Sequence, residues 1–535
     1  MKNFTLRSVF FIVCFLISSL TFSNNYTFFK NSIEEISNSN KYSAPLIDNA
    51  ILIAFFKKYP ELKKYQTEVT ALYKSKSYKS IWYGGNEINE FGHLLYHKLN
   101  LISDEGVQIN LPYKNKIDEI FDEENPDEKF SESDTEIFIS SMYIIYAKHV
   151  YEGIDAKTVT DIGWFLPKKK ISYESLLDSI VMNPRLMDKN NEVLFSQYYK
   201  LHEFLKKYRI IEKNNTWTPI SINSPYKDLR PDDTSNTIAQ IRQRLFVIGD
   251  LQKDSKSNVY DEELMAGILK YKQRYGLTLN YKIMEDHIKQ MNEPISNRIK
   301  TIMLNMERCR WIPPTLEKGD EYIMVNIPSF MLYYVRNGNY DLVSNVFIGT
   351  PLTKTVIFSG KIDRIVFSPY WNVPTSIINN ELKLKMAEDK NYLADHNMEW
   401  NNGRVRQKPG PKNSLGLVKF MFPNPNDIYL HDSPAKSLFT FEKRIFSHGC
   451  INVMKAKELA IAMLKNYPDW TVDKINNAMN GEKETTCMLT KKIPIYIGYF
   501  TAWVNREGEI NFFPDVYDRD ADLGKIMFPK DISFK

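Results

Sequence analysis

Two histidines, a glycine and a cysteine fall in one window of this 535-residue chain. The window reads Tyr429-Leu430-His431-Asp432-Ser433-Pro434, then a loop, then Ser447-His448-Gly449-Cys450-Ile451-Asn452-Val453. With only eight histidines and four cysteines in the chain, their gathering here marks the window as a place for chemistry. An imidazole can take the proton of a thiol near neutral pH, and the thiolate then attacks a carbonyl. Gly449 lets that carbonyl approach the main chain, whose N–H groups can hold an oxyanion. These are the parts of a cysteine acyltransferase. Two other readings stay open. Cys450 can be an inert buried thiol, or a metal ligand with His431, His448 and His396, although His448-x-Cys450 is not the usual spacing of structural zinc.

The same residues resemble the L,D-transpeptidase (YkuD) catalytic motif, in which a histidine is followed at a set distance by Ser/Thr-His-Gly-Cys-hydrophobic-Asn or Arg. The resemblance implies that Cys450 is the nucleophile and His431 the general base, its ring oriented by Asp432 or a neighbouring carbonyl. It gives His448 a loop-positioning or oxyanion-lining role, and makes the N–H groups of Gly449 and Cys450 the oxyanion hole. Tyr370 and Trp371 would wall the donor site and Arg444 would meet a stem-peptide carboxylate. Ser447, Asp432 and Asn452 complete the expected substrate-binding set. Asn452 stands where many relatives have Arg, and an amide cannot neutralise a carboxylate.

The implied reaction uses neither ATP nor metal. Cys450 would attack the diaminopimelate carbonyl of a tetrapeptide stem, expel D-alanine and pass the acyl group to an acceptor diaminopimelate, making a 3→3 cross-link in peptidoglycan. Water or a lipoprotein amine as acceptor, and a silent wall-binding scaffold, are the alternatives. Carbapenems are the implied inhibitors, and other cell-wall synthesis proteins are possible partners.

Hydrophobic residues make up 43% and charged residues 25% of the chain, as in ordinary globular proteins. A net charge of +5 over this length gives no case for nucleic-acid binding. Lys2 and Arg7 precede an apolar run from Val9 to Leu20 and then Thr21-Phe22-Ser23, the pattern of a signal peptide over residues 1–23. That run is short for a membrane span. An exported, periplasmic protein is expected, with an uncleaved signal anchor as the alternative. Cys309, Cys450 and Cys487 then remain. An odd count points to one thiol kept free, for which Cys450 is the choice, and Cys309 and Cys487 can pair.

These elements predict a multidomain α+β protein with a helical scaffold, a small three-helix peptidoglycan-binding-like module and a mainly β L,D-transpeptidase catalytic domain. Residues 24–225 read as helical, with Phe138, Met142 and Ile145 at helical spacing. Ser80-Ile81-Trp82-Tyr83 and Tyr151-Glu152-Gly153 loosely resemble the scaffold of the larger family members. Residues 226–294 carry Ile241-Arg242-Gln243-Arg244-Leu245, Gly249-Asp250 and Tyr271-Lys272-Gln273-Arg274-Tyr275-Gly276-Leu277. That pattern is similar to the peptidoglycan-binding module, with Tyr271 and Lys272 where Phe and Gln are usual. A connecting helix is expected in 295–320, with Cys309 on its apolar face. From 321 the chain turns to strands: Glu321 to Ile327, Met331 to Arg336, an Asn337-Gly338 hairpin turn, Tyr340 to Ile348, Ile365 to Phe367, Ile493 to Val504 and Ile510 to Phe513. One clear helix, Lys455 to Leu464, is expected in this half, with the nucleophile just before it. The resemblance makes the polar segment at about 378–415 a movable cap over the site.

Overall fold

The computed structural model describes residues 45, 47–85, 87–122, 130–222 and 225–530. The expected signal peptide and Cys14 lie outside the described residues. The chain folds as two units, neither continuous in sequence. The first takes the described residues up to Ile102 with Ile109–Lys148 and Ser172–Asp188, and the second Ser103–Gln108, His149–Ile171 and Lys189 onward.

The first unit is helical. Its centre is the helix Glu132–Tyr146, N-capped by the Ser131 side chain and buried at every residue from Thr135 on. A helix apolar on all sides must be wrapped, and Asn49–Lys58, Gln66–Ser75 and Glu90–Asn100 pack on it. Glu136 inside this bundle accepts from the Ile81 N–H at 2.5 Å, the Ser80 hydroxyl at 2.9 Å and the Tyr73 hydroxyl at 3.1 Å. The Trp82 indole, fully buried, donates to Ser140 at 2.7 Å. The Ser80-Ile81-Trp82 stretch therefore works by satisfying a buried carboxylate, which would otherwise be costly.

The second unit begins its continuous part with the helix Ser196–Lys213 and then the three helices Asn236–Ile248, Glu262–Arg274 and Glu285–Met291. Gly249, at φ +89°, ends the first of the three in the left-handed conformation that glycine adopts freely. Arg274 joins this element to the β region: its guanidinium grips Asp250 at 2.8 and 2.5 Å and donates to the Ile510 carbonyl at 2.5 Å. The helix Ile295–Trp311 follows, with Cys309 fully buried on it.

The strands are β1 (Trp164–Phe165), β2 (Glu321–Asn326), β3 (Met331–Arg336), β4 (Asn339–Gly349), β5 (Ile357–Phe367), β6 (Trp371–Asn372), β7 (Met398–Asn401), β8 (Arg404–Gln407), β9 (Val418–Met421), β10 (Leu430–His431), β11 (Ile445–Ser447), β12 (Ile451–Val453), β13 (Thr485–Gly498), β14 (Ala502–Val504) and β15 (Ile510–Phe512). The main sheet runs β1-β5-β13-β2-β3-β4-β12-β10-β9, and β9 pairs back onto β5. Eight strands thus close a ring. Its inner face is filled by Ile365, Val418, Phe420, Leu430, Ile451 and Val453. Asn337 (φ +48°) and Gly338 (φ +74°) make the expected β3–β4 turn, both in the left-handed region that such a two-residue hairpin requires.

Four expectations change. The strand foreseen over Ile493 to Val504 is two, β13 and β14, interrupted at Tyr499–Thr501 where Thr501 turns inward to bond Asn305 and Asp520. Besides Ala456–Met463, the β half holds the helices Val472–Met479 and Arg519–Met527, whose buried apolar side chains, Ile475 and Met479 in one and Leu523 in the other, are too few to mark a period. Cys450 is followed by β12 rather than by a helix. Cys309, Cys450 and Cys487 are all free thiols, so Cys309 and Cys487 are not joined. Cys487 instead lies in β13 opposite Ile365 of β5.

Residues 371–407 form a small body of their own, in which β6, β8 and β7 make a three-stranded sheet. Short helical turns lie between β6 and β7, and Val373, Ile377, Ile378, Leu382 and Val405 form the body's core. This is the segment expected as a cap, starting a few residues earlier.

Candidate active site

Strand register brings the motif together. β10 runs parallel to β12 with His431 abreast of Asn452, and antiparallel to β9 with His431 abreast of Lys419. Asn452 stands opposite Phe347 of β4, and Lys419 opposite Val366 of β5. Residues abreast of one another point to the same side of a sheet. One row therefore crosses five strands on the outer face: Val366, Lys419, His431, Asn452, Phe347. Side chains alternate along a strand, so Tyr429 and Cys450, each two residues before its neighbour in the row, come to this face too. His431 and Cys450 share it diagonally.

The imidazole of His431 is buried. Its Nδ1 lies 2.6 Å from the Asp432 carbonyl oxygen, to which a protonated Nδ1 donates. Burial pushes the ring down to about 4, against the carbonyls of Asp432 and Leu415, which face it and favour the protonated form. The ring is neutral across the ordinary pH range. Of the two orienting groups anticipated, the carbonyl is the one used. The Asp432 carboxylate accepts from the Leu417 N–H at 3.0 Å and from Lys436 Nζ at 2.6 Å. Gly416 makes room for it: a Cβ there would sit 2.4 Å from Asp432 Oδ2, at φ +62°.

Cys450 is half-buried, with Sγ 3.7 Å from the Asp427 carbonyl oxygen. Burial pushes its thiol up to about 11, while the main-chain N–H and the hydroxyl of Tyr429, both directed at the sulfur, pull it down. The Tyr429 ring centroid lies 5.6 Å from that of His431. Among the described residues no hydrogen bond joins His431 to Cys450. The pair rests as neutral thiol and neutral imidazole, with Tyr429 beside both.

The turn carrying the cysteine is held from several sides. Ser447 Oγ donates to the Cys450 carbonyl at 2.6 Å and accepts from the Gly449 N–H at 3.1 Å. Thr353 donates to the Ser447 carbonyl at 3.0 Å, and Thr355 to the Gly449 carbonyl at 2.8 Å. Tyr517 braces the same strand end by donating to the Gly349 carbonyl at 2.7 Å. Gly449 takes φ +118°, a conformation other residues rarely adopt. Its N–H, expected in the oxyanion hole, is committed to Ser447, which is thereby a brace for the turn.

His448 points outward from this turn, Nε2 lying 2.8 Å from Glu381 Oε1 of the cap. Tyr370 stands at the site's edge. Its N–H donates to Glu484 Oε2 at 2.9 Å and its ring lies 4.2 Å beneath the Arg406 guanidinium. Trp371 packs into the core of the cap. Arg444 corrects the expectation of a substrate contact. It is buried, and its guanidinium donates to the carbonyls of Val346 (3.2 Å), Phe441 (2.8 Å) and Phe330 (3.2 Å), so that it ties loops together.

Lys419, Tyr429, Glu381, Thr353, Thr355 and Tyr517 were not foreseen. Only Tyr429 lay inside the motif window; the others reach the site through strand pairing or loop packing, which leave no local signature. Among the described residues no three His, Cys, Asp or Glu side chains gather as a metal site.

Residues 320–472 match the family model of the L,D-transpeptidase catalytic domain, and residues 67–205 that of a scaffold domain. A Haemophilus influenzae protein named "Putative L,D-transpeptidase" is 34% identical over 254 residues, covering 43% of this chain and 50% of the relative. The chain thus spans about half the length of the curated relative it matches. Among solved structures, an Enterococcus faecium L,D-transpeptidase bearing a cysteine-to-serine change is 15% identical over 34% of this chain and 50% of that one, with a TM-score of 0.18. L,D-transpeptidase 3 from Mycobacterium tuberculosis, with a faropenem-derived adduct, is 11% identical over 34% and 60%, also with a TM-score of 0.18. At such scores the assignment rests on the sequence matches.

Proposed function

We propose, from the match of residues 320–472 to the L,D-transpeptidase catalytic domain, that the chain is a cysteine L,D-transpeptidase forming 3→3 cross-links between peptidoglycan stems in the periplasm. The observation that carries the reading is the shared sheet face of His431 and Cys450, with the imidazole fixed by the Asp432 carbonyl.

Because the pair rests neutral, the proton leaves Cys450 only as the sulfur attacks. His431 takes it on the ring nitrogen that does not face Asp432, and the carbonyls facing the ring stabilise the imidazolium. The new C–S bond forms at the diaminopimelate carbonyl, and the oxyanion is received by the Cys450 N–H, the donor of the expected pair not spent on Ser447. Collapse breaks the C–N bond, and the imidazolium returns the proton to the departing D-alanine amine. An acceptor diaminopimelate amine then attacks the thioester and gives up its proton to His431. A new amide forms and the thiol is regenerated. The three-helix element at 236–291 is suited by its sequence pattern to hold the chain on the wall, and a carbapenem would acylate Cys450 in place of the donor.

The test is mass spectrometry of muropeptides after incubating the purified chain with disaccharide-tetrapeptide. A dimer joined through two diaminopimelates, absent with Cys450→Ala, is the expected result. Tripeptide without dimer would assign an L,D-carboxypeptidase instead, and no change in the muropeptides would overturn the reading.

A further inference from the structure

The row of outer-face residues contains one cation that no part of the motif accounts for. Lys419 lies directly abreast of His431. It sits on the half-exposed face of β9, while its neighbours Val418 and Phe420 fill the core. Its ammonium has three donors to place. Among the described residues it makes one hydrogen bond, a long one of 3.5 Å to the Tyr370 carbonyl. Its acidic partner, Glu484 Oε2, is 3.6 Å away and already accepts the Tyr370 N–H at 2.9 Å. Only 15% of the lysine side chain is exposed. A cation so withdrawn from water and so thinly bonded has donor capacity left for a ligand. The chemistry that fits is an anion with two acceptor oxygens.

We infer that Lys419 is the cation that receives a carboxylate of the peptide substrate, beside the catalytic pair and in place of the charge that Asn452 cannot supply. This inference rests on the transpeptidase reading for the identity of the peptide. Beside the γ-linked glutamate, carboxylates stand on the diaminopimelate residue and on the terminal D-alanine of a tetrapeptide donor; these two flank the carbonyl that is attacked, and either fits one ammonium beside the pair. Glu484 holds Lys419 toward Tyr370 in the free chain, and the incoming carboxylate takes over the remaining donors. A second consequence follows from position. The positive charge of Lys419 is among the influences that oppose protonation of His431. A bound carboxylate offsets that charge and makes the imidazolium of the acylation step easier to form, so donor binding prepares the base.

The experiment reads binding, so that it does not depend on turnover. Calorimetric titration of the full chain bearing Cys450→Ala is compared with the same chain bearing Cys450→Ala and Lys419→Met. The titrants are disaccharide-tetrapeptide with all carboxylates free, and the same donor amidated at diaminopimelate or at D-alanine in turn. A charge-assisted contact is worth roughly 10- to 100-fold in affinity. Lys419→Met is expected to weaken the free-acid donor by that factor and to leave one of the two amidated donors unchanged, which names the carboxylate. Lys419→Arg is expected to restore most of the loss. Equal losses on all three donors, or no loss on any, would overturn the inference. Should Lys419→Met fail to fold, the Cys450→Ala chain alone decides: equal affinity for free and amidated donors overturns it. Lysine-dependent binding of the acid by a chain that makes no dimer would remove the transpeptidase reading while leaving the carboxylate site standing.

Discussion

A histidine that titrates near 4 has consequences both for rate and for stability. With His431 held down to about 4 and Cys450 up to about 11, the reactive neutral pair persists between those values. Carbapenem acylation of Cys450, followed by intact mass, is expected to be nearly flat from about pH 5 to about 9. An acid limb at the ordinary histidine value near 6.5 would contradict it. For stability, the unfolded chain takes up a proton at His431 before the folded one does. The folded state therefore loses stability as pH falls from about 6.5 to about 4, by roughly 3 kcal/mol in all, and nothing is lost above that window. Urea melts across this range should show a slope that His431→Asn flattens. Tyr429→Phe removes the hydroxyl directed at the sulfur and should slow acylation roughly tenfold with little change in melting temperature. Gly416→Ala acts through the main chain. Its Cβ would collide with Asp432, whose carbonyl orients the base, and a cost of about 1–3 kcal/mol is expected in a thermal melt together with a fall in kcat. Cys450, His431 and the turn glycine were legible because they sit in one short window. Lys419 was not: nothing in Val418-Lys419-Phe420 marks the middle residue until β9 is paired with β10. Arg444 misled for the converse reason, since a guanidinium near a nucleophile looks the same in sequence whether it faces a ligand or three carbonyls.

Between residues and molecule stands the small body at 371–407, which the resemblance makes a cap over the site. It has a small core of its own, and Glu381 reaches from it to His448, two residues from the nucleophile. An exposed pair of this kind contributes about 1 kcal/mol at most, too little to hold the body in place by itself. Glu381→Gln is expected to speed amide hydrogen exchange in residues 375–405 by a few fold. His448→Ala should do the same, and the double variant no more than either, since both remove one contact. Additive effects would show that the two residues act separately. The sequence announced this segment by its polarity and its place between strands. Its internal core was hidden, because Ile377, Ile378 and Leu382 lie on helical turns too short to display a period.

For the whole molecule, the β-rich unit is not confined to the second half of the chain. β1 adds to the β5 edge of the ring, and Trp164 packs edge-on against Trp311 at 5.1 Å. Gln197, from the helix Ser196–Lys213, exchanges two hydrogen bonds with Val504, at 2.8 and 3.0 Å. A chain shortened to begin at residue 225 would lose all of these. Its melting temperature is expected to fall by roughly 5–10 °C relative to the longer chain, as read by circular dichroism. Equal melting temperatures would show that the earlier segment adds nothing to the ring. The composition of residues 149–222 gave no hint of this, since a two-residue strand has no pattern to read. The same strand also sets an order of events during synthesis. Trp164 and Phe165 leave the ribosome long before Ile357 and Phe358, the residues they pair with, exist. Until those arrive, a tryptophan and a phenylalanine wait with a bare strand edge beside them, and closing so distant a contact is slow. The interval between the two strands is thus when the nascent chain most needs shielding from its neighbours.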